Sequence, residues 1–495
     1  MCIGLSFFSA AGRRVPLLAL GLSGLAACVR VSPVARPTPA EPASASHGVV
    51  GGSIPGACTV PAAAPGTSLA SATVTEPLVT FDTAWAIIAR SHWDTTYNGV
   101  NWQALRDSLR PRAAAAKTTG ELRGVLSEMV GSLKQSHFSI IPREVSDATS
   151  SGSSSGPATD QNGTTGAVLR YLDGSIVVTQ VPATSAAARA GVRPGWLLEA
   201  VRGCPIATRL ARIPRDMDPR RAAFTAFSLA NQALAGPVGD SVQATFRDGD
   251  GKAHTVAIVR SSEPGTPAKF GNLPPFPASL AFERVKQGDK TIGIIRFNIW
   301  MPVLSPQFDA AMDSLRDTDA IIIDVRGNFG GVGGMSMGIA GHFLDSARTI
   351  GTMHQRGASL KFVANPRRVD TRSRSVVPFA GPLALLVDEL SVSTTEIFAG
   401  GMQALGRARV FGTQTSGQAL PSVPERLPNG DILYHAIADF LSPTGQPLEG
   451  LGVTPDVVTK NTRKALLEGK DPAREAALVW AAQAAKLPLK GITPQ

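Results

Sequence analysis

The chain has 495 residues, of which 43% are apolar, so it is too long for a single hydrophobic core and too apolar to be globally disordered. Its formal net charge is +10 at pH 7, but the basic residues are scattered, whereas nucleic-acid binding requires a focused basic face. Composition therefore predicts roughly two or three folded units with an ordinary solvated surface, and it argues against a nucleic-acid-binding protein.

The first 28 residues have the pattern of an export signal. Arg13 and Arg14 precede an apolar run that ends in Leu25-Ala26-Ala27-Cys28, and this order is typical of a secretory signal peptide. The run is shorter than the about 20 apolar residues of a transmembrane helix. Its end resembles a bacterial lipobox, in which Cys28 is lipidated, although a plain cleaved signal is the alternative. We therefore expect an exported protein of the periplasm or cell envelope, bound to a membrane through a lipid on Cys28.

The next segments alternate linkers with a helical region. Residues 29–75 are rich in Ala, Pro, Ser and Gly, which predicts a disordered linker. Residues 76–148 contain apolar residues at the 3.6-residue period of helices and predict an N-terminal helical domain. Residues 149–165 are rich in Ser and Gly and predict a flexible linker.

The cysteines leave one question open. Cys58 and Cys204 remain after the signal segment, and an oxidising compartment would permit a disulfide between them. Their spacing does not establish one. No Cys/His group has the spacing of a zinc site, so we expect no metal.

Residues 166–265 contain short β-rich segments separated by turn signals, which predicts a β-rich domain. Within it, the segment 185–203 combines a short Ala-rich helix, a Pro-Gly turn and an apolar strand. This order resembles the centre of a PDZ domain, which binds an extended peptide as an added strand; a generic β-rich domain is the alternative. The resemblance implies that the peptide is bound at Gly191, Val192 and Gly195.

Residues 266–462 alternate apolar strands with helices, and residues 463–495 predict a C-terminal helical tail. Near-continuous apolar runs are typical of strands buried on both faces, and they occur at 292–297, 320–325, 383–387 and 410–412. This alternation predicts an α/β domain with a largely parallel core sheet. Ligands of such sheets bind beyond the carboxyl ends of the strands.

The first unusual strand-to-helix junction is rich in glycine. It contains Gly327, Asn328, Gly330 and Gly331. Glycines leave backbone N–H groups unobstructed, which suits an anion or a developing oxyanion. A phosphate-binding P-loop is excluded because no Gly-Lys-Ser/Thr sequence follows, and a structural tight turn remains the alternative.

The second junction follows the run at 383–387, where Ser391 and Ser393 precede a helix that contains Glu396. A serine exposed where a strand turns into a helix has the geometry of a nucleophile. Serine at a helix start is also a common N-cap, so this junction alone does not assign a nucleophile.

Together the junctions resemble the C-terminal processing (tail-specific) serine protease family. The motifs are Asp324-Val325-Arg326-Gly327-Asn328, then Asp388-x-x-Ser391-x-Ser393-x-x-Glu396, then Gly406-Arg407 through Gly412. The resemblance implies a multidomain α/β protein: a helical domain, a PDZ-like domain and a crotonase-like (ClpP/crotonase) α/β protease core. It implies that Ser393 is the nucleophile, with Ser391 as a rival. It also implies an oxyanion hole built from the Thr394 amide and that of Gly330 or Gly331.

One position departs from the Ser/Lys branch of this family. Gln418 stands where that branch has lysine, and an amide cannot accept the serine proton. A sister branch, similar to the tricorn core protease, uses a Ser-His pair and a glutamate, and Ser136, His137 and Glu449 stand at the matching places. Histidine suits the role because its pKa lies near working pH. The resemblance therefore implies His137 as base, with Glu449 holding Ser136 or His137 and His435 in reserve.

These features predict an exported serine endopeptidase that cleaves polypeptides, in particular unfolded or C-terminal segments, without a metal or organic cofactor. A catalytically inactive PDZ-containing scaffold that binds peptides at the membrane is one alternative. An acyl-CoA enzyme of the crotonase type is another, although the export signal argues against cytosolic acyl-CoA substrates.

Overall fold

The structure is a computed structural model that describes residues 76–144, 163–271, 273 and 275–486. The predicted signal, the linker 29–75, most of the linker 149–165 and the end of the predicted tail lie outside these residues, as do Cys28 and Cys58. Gly163 and Thr164, at the end of that second linker, are paired with Gly236 and Ser261. The described residues belong to one compact unit, and none of their helices is both long and apolar enough to cross a bilayer.

The first described segment consists of three helices and a short strand. They are α1 (Pro77–Ser91), α2 (Trp102–Ala115), α3 (Thr119–Gly131) and β1 (Ser139–Ile141), with a 3-10 turn at Tyr97–Gly99. Helix α3 begins at a capping box, in which Thr118 accepts from the Glu121 amide and the Glu121 carboxylate accepts from the Thr118 amide. The apolar faces of the three helices pack into one cluster, which also takes in Leu427 and Leu433 from the later part of the chain.

The second segment is a sheet with an accompanying helix. Its elements are β2 (Val168–Leu172), β3 (Ser175–Gln180), α4 (Ala186–Arg189), β4 (Leu197–Val201), β5 (Cys204–Pro205), α5 (Ile206–Leu210), α6 (Pro219–Leu234), β6 (Ser241–Arg247) and β7 (Ala253–Val259). The strand order is β2-β3-β4-β6-β7, with β5 paired to β4. Strand β2 is therefore an edge strand, and helix α6 packs beside it.

The third segment contains the largest core. Its elements are β8 (Thr266–Ala268), β9 (Phe276–Ala278), β10 (Leu280–Gln287), β11 (Lys290–Phe297), a 3-10 turn (Pro302–Leu304), α7 (Ser305–Leu315), β12 (Ala320–Asp324), α8 (Gly334–Ala340), β13 (Arg348–Gln355), β14 (Ala358–Ala364), β15 (Leu383–Val387), α9 (Thr394–Ala404), β16 (Arg409–Gly412), β17 (Ser422–Arg426), β18 (Ile432–Ala436), β19 (Asp439–Leu441), β20 (Val457–Val458), α10 (Arg463–Leu467) and α11 (Pro472–Ala484).

A six-stranded sheet in the order β10-β11-β12-β15-β16-β20 forms the centre of this segment. Its strands β11, β12, β15, β16 and β20 are parallel to one another, and β10 is antiparallel at the edge. Every residue of β12 and β15 is buried, because helices cover both faces of the sheet, with α11 on one of them. The parallel register brings the loops that follow β12 and β15 to the same edge.

A small sheet attaches the first segment to the third. Strand β1 pairs with β18, and β18 pairs with β17. Beside it, Arg123 of α3 donates to the fully buried carboxylate of Asp431 from Nε at 2.9 Å and from a terminal nitrogen at 2.6 Å. This pair helps to fix the position of the helices and of the residues just before β1.

Arg123→Met is expected to lower the free energy of unfolding by about 3 kcal/mol, since it leaves the buried Asp431 carboxylate without its main cation. Arg112→Met is the control, because the Arg112–Glu128 pair is exposed (56% and 51%) and such pairs contribute little to stability. Urea unfolding measures both variants. Equal stability of the two would contradict a structural role for the buried pair.

Candidate functional site

The loop after β12 is fixed by a buried ion-pair group. Arg326 donates to Asp324 and, on its other side, to Asp471 at the start of α11. Burial acts to raise the pKa of Asp324, but the adjacent Arg326 guanidinium outweighs it and lowers the pKa to about 2. Asp324 is therefore ionised at neutral pH. Its ion pair with Arg326 holds the beginning of the glycine-rich turn in place at the end of β12.

Ser393 occupies a sharp turn at the beginning of α9. Its backbone has φ 58° and ψ −120°, a conformation that non-glycine residues rarely adopt and that commonly marks functional sites. The residue is half-buried, and its hydroxyl donates no hydrogen bond within the described residues. This is the geometry of a serine presented at the end of a strand–turn–helix unit.

Ser391, the rival for the role of nucleophile, is enclosed. Its side chain is fully buried, its hydroxyl donates to the Val325 carbonyl at 2.9 Å, and its oxygen accepts from the Asp388 amide at 3.0 Å. These contacts join the loop after β15 to the loop after β12. Ser391 therefore has the surroundings of a structural residue.

The glycine-rich turn lies directly against Ser393. A Cβ atom on Gly330 would lie 2.6 Å from the Ser393 Cβ, so only glycine allows this approach. The Gly330 amide donates to Asn328 Oδ1 at 3.0 Å, whereas the amides of Gly331 and Thr394 have no acceptor among the described residues. The Thr394 hydroxyl donates to the Gly331 carbonyl at 2.8 Å, which holds these two residues together. Of the three predicted oxyanion donors, Gly331 and Thr394 have unengaged amides, and Gly330 does not.

Asn328 joins the two junctions, a role that its place in the sequence motif did not reveal. It is fully buried, and its Nδ2 donates to the Phe297 carbonyl at 3.1 Å. Its own carbonyl accepts from the Val392 amide at 3.1 Å and from the Thr395 hydroxyl at 2.9 Å. The position of Ser393 relative to the glycine-rich turn therefore depends on this side chain and backbone.

Ser136, His137 and Glu449 form one hydrogen-bonded chain. The Ser136 amide donates to Glu449 Oε1 at 2.9 Å, and the Ser136 hydroxyl donates to Glu449 Oε2 at 2.8 Å. The Ser136 oxygen lies 2.7 Å from His137 Nδ1. The imidazole ring packs against the Tyr434 ring of β18 in a tilted arrangement, with 5.7 Å between the ring centroids. Burial lowers the pKa of His137 to about 4, so the imidazole is neutral at physiological pH.

Two consecutive residues connect this chain to Ser393. The Ser393 amide donates to the Gln418 carbonyl at 2.9 Å, and the amide of the next residue, Ala419, donates to Glu449 Oε2 at 3.0 Å. Residues more than 250 positions apart in sequence are thus brought to one edge of the sheet. The Ser393 hydroxyl and His137 make no direct hydrogen bond within the described residues, and such contacts commonly tighten only when substrate binds.

Gln418 and His435 have other partners. The Gln418 side chain donates to the Ser416 hydroxyl. His435 is fully buried, with one ring nitrogen 3.1 Å from Glu425 and the other 3.3 Å from the Ser91 hydroxyl. Since both of its ring nitrogens are engaged, His435 has no free nitrogen to receive a proton from Ser393.

Glu396 is a second residue whose importance the sequence did not reveal. Its fully buried carboxylate accepts from the amide of Ser393 at 3.1 Å, from those of Gly417 and Gln418 at 2.7 and 3.0 Å, and from the Thr415 hydroxyl at 2.6 Å. Burial raises the pKa of Glu396 to about 7, against these hydrogen bonds, which stabilise the ionised form. The Ser-x-x-Glu spacing at a helix start is the one sequence signal that could have found this contact.

Glu396→Gln is expected to change how stability depends on pH. The pKa of Glu396 is raised in the folded state from its ordinary 4.5 to about 7, so this group favours the folded state below about pH 4.5, and that contribution is lost as pH rises through 7. The free energy of unfolding of wild type relative to the variant should therefore fall by about 3 kcal/mol between pH 4.5 and 8. Chemical denaturation at the two pH values measures the difference.

Glu128→Gln is the control for this experiment. The pKa of the exposed Glu128 is lowered by its hydrogen bond to Arg112, so its contribution is lost only as pH falls below the ordinary value. Its difference from wild type should stay flat between pH 4.5 and 8. A flat difference for Glu396→Gln as well would mean that the four donors keep Glu396 ionised throughout.

The three residues predicted to bind peptide are not part of edge strand β2. Gly191, Val192 and Gly195 form the turn between α4 and β4, and Val192 is buried in the core of its sheet. A Cβ atom on Gly195 would collide with Leu467 of α10. Strand β2 is one of the two edge strands of this sheet, the other being β7, and its outer edge could accept an added strand. The described residues contain no group of three or more His, Cys, Asp or Glu side chains arranged to hold a metal ion.

Two families match parts of the chain. Residues 291–459 match Peptidase family S41, and residues 73–131 match the Tricorn protease C1 domain. The first match contains Ser393 and both junctions. The second covers all of helices α1 to α3.

Related proteins extend these matches over most of the chain. The carboxyl-terminal-processing peptidase 2, chloroplastic, of Arabidopsis thaliana is 25% identical over 393 residues, which are 77% of this chain and 69% of that protein. The carboxyl-terminal-processing protease of a Picosynechococcus strain is 24% identical over 380 residues, which are 76% of this chain and 81% of that protein.

Solved structures show the same fold. The photosystem II D1 C-terminal processing protease matches with a TM-score of 0.55 at 18% identity, over 84% of this chain and 100% of that chain. Mature CPAF matches with a TM-score of 0.55 at 13% identity, over 83% of this chain and 97% of that chain.

Proposed function

We propose that this chain, which is a serine endopeptidase related to the carboxyl-terminal processing peptidases, uses Ser393 as its nucleophile and His137 as its general base. The observation that carries the proposal is the hydrogen-bonded chain from Glu449 through Ser136 to His137, connected to Ser393 through residues 418–419. This arrangement resembles the one expected for the Ser/His branch, and the match to the Tricorn protease C1 domain supports that interpretation.

The hydrogen-bond pattern supports Nε2 of His137 as the nitrogen that accepts the proton. Glu449 accepts from two backbone amides and from the Ser136 hydroxyl. Because the Ser136 hydroxyl gives its proton to Glu449, its oxygen accepts from His137 Nδ1–H. The Nε2 atom of His137 then carries the lone pair and serves as the base.

The reaction is acyl transfer in two steps. Ser393 Oγ attacks the scissile carbonyl carbon while its proton passes to His137 Nε2, and the resulting oxyanion accepts from the amides of Gly331 and Thr394. His137 returns the proton to the leaving amine, which departs and leaves an acyl-enzyme. Water, deprotonated by His137, then attacks the ester carbonyl, the bond from that carbon to Ser393 Oγ breaks, and His137 returns the proton to Oγ, which releases the new carboxyl terminus and restores Ser393.

The proposed substrates are extended polypeptides, in particular unfolded or C-terminal segments. The relatives' names describe carboxyl-terminal processing, and an extended peptide could pair with the free edge of β2 in the manner of a PDZ domain. We assign peptide binding to this edge and not to Gly191, Val192 and Gly195, since Val192 is buried in the core.

Hydrolysis of unfolded casein by the full-length protein, together with labelling by a fluorophosphonate, tests the proposal. Cleavage with one phosphonyl group on the Ser393 peptide, located by mass spectrometry, is the expected result. No cleavage and no label between pH 5 and 9 would overturn it. The alternative, a peptide-binding scaffold in which Gln418 marks a lost catalyst, would then lead.

The cellular location is part of the proposal. The Arg13–Cys28 segment has the composition of a lipoprotein signal, and bacterial relatives include the Picosynechococcus protease. An exported protein anchored by a lipid on Cys28 would incorporate labelled palmitate and collect in the membrane fraction. Cys28→Ser should remove both properties.

A further inference from the structure

The first turn of α6 reaches the loops that carry the proposed catalytic chain. Asp218 caps this helix by accepting from the amides of Arg220 and Arg221 at 2.9 and 3.3 Å. The capped turn directs both arginine side chains toward residues 415–417 and 449–451. A helix of the second segment thus contacts the catalytic edge of the third.

Arg220 attaches this turn to the backbone of the two loops. Its guanidinium donates to the carbonyls of Gly450 at 2.7 Å, Leu451 at 2.8 Å and Thr415 at 3.4 Å. Since these acceptors are backbone carbonyls with no role in the proposed reaction, Arg220 has the contacts of a structural residue. The neighbouring Arg221 instead contacts a charged side chain, that of Glu449.

Arg221 lies next to the carboxylate of Glu449. A terminal nitrogen of Arg221 is 3.6 Å from Glu449 Oε1, and the two side chains are 36% and 17% exposed. The same Oε1 accepts from the Ser136 amide, while Oε2 accepts from the Ser136 hydroxyl and the Ala419 amide. The guanidinium is the only positively charged side chain within 4 Å of this carboxylate among the described residues.

We infer that Arg221 is a positioning residue for proteolysis, and this inference rests on the proposed function of Ser393, His137 and Glu449. Its charge stabilises the orientation in which Glu449 accepts the Ser136 hydroxyl proton. That orientation keeps His137 in the tautomer with a free Nε2. Arg221 touches neither the substrate carbonyl nor Ser393, so it acts through Glu449 alone.

The charge of Arg221 also has an effect that opposes catalysis, and the two effects predict opposite changes in kcat. His137 becomes positively charged when it receives the serine proton, and a second cation nearby disfavours that charge. If this repulsion were the main effect, removing Arg221 would raise kcat. Because Arg221 approaches Glu449 directly while Ser136 lies between Glu449 and the imidazole, we expect orientation to outweigh repulsion.

The experiment compares Arg221→Met, Arg221→Lys and Arg212→Met in the full-length protein with a fluorogenic peptide. Methionine keeps much of the apolar stem without the charge, lysine keeps the charge, and the exposed Arg212 makes no ion pair within the described residues. Arg221→Met should lower kcat about 10-fold, with KM and Tm close to wild type. Arg221→Lys should recover most of the loss, and Arg212→Met should resemble wild type.

A double-variant cycle with Glu449→Gln completes the test. If Arg221 acts through Glu449, Arg221→Met should cause no further loss of kcat in the Glu449→Gln background. A full additional 10-fold loss, a wild-type kcat for Arg221→Met, or a raised kcat would each overturn the inference. Full activity of Glu449→Gln alone would instead overturn the proposed catalytic chain, so the two failures are distinguishable.

Discussion

Ser393→Ala is expected to reduce kcat for peptide hydrolysis by about 10⁴-fold or more, because the variant cannot form an acyl-enzyme and retains only binding and the oxyanion donors. The side chain is half-buried and donates no hydrogen bond within the described residues, so its loss should leave stability nearly unchanged. The substitution should not change the backbone strain at position 393, because alanine is as unfavourable as serine at φ 58°. Steady-state hydrolysis of an unfolded substrate and thermal unfolding measure the two effects.

Ser391→Ala is the matched control for this prediction. It removes a buried hydroxyl that donates to the Val325 carbonyl, which should cost about 1–3 kcal/mol of stability. Turnover per folded molecule and fluorophosphonate labelling should persist. The assignment of Ser393 fails if the label is lost in Ser391→Ala but kept in Ser393→Ala.

The central sheet was predictable from the sequence because its strands are buried on both faces. Strand β15 occupies 383–387 and strand β12 occupies 320–324, in close agreement with the apolar runs. Helix α9 begins at Thr394, directly after the predicted nucleophile. The family relationship that the two junctions imply is confirmed by the match to Peptidase family S41 and by the carboxyl-terminal-processing relatives.

Pairings between distant segments were not predictable in the same way. Strand β1 has only three residues and pairs with β18, about 290 positions later. Strands β13, β14 and β19 form a separate small sheet, and β14 has mostly exposed residues. Short or exposed strands lack the continuous apolar signal, so their partners are set by tertiary packing and not by local pattern.

In the candidate site too, features set by a local motif were predictable, whereas features set by contacts between distant segments were not. The positions of Ser393 and of the glycine-rich turn follow from local motifs. The distinction between Gly330 and Gly331 does not, because it depends on Asn328 engaging one amide and leaving the other without an acceptor. The role of Glu396 likewise depends on donors at Gly417 and Gln418, which only folding brings to its carboxylate.

His137→Ala is expected to lower kcat by about 10⁴-fold, a loss similar to that of the nucleophile, because base and nucleophile act as a unit. The double variant Ser393→Ala/His137→Ala should therefore be no slower than either single variant. The matched control is His435→Ala, which removes a buried ring bonded to Glu425 and Ser91. It should lose about 1–3 kcal/mol of stability while keeping turnover per folded molecule.

The pH profile tests the same residue independently. His137 must be neutral to accept a proton, and burial lowers its pKa to about 4, so its contribution to kcat/KM should be constant at neutral pH and decline as pH falls through about 4. The residual activity of His137→Ala should lack this acid limb, because no imidazole remains there to be protonated. An unchanged acid limb in His137→Ala, or a 10⁴-fold loss in His435→Ala with His137→Ala fully active, would assign the base elsewhere.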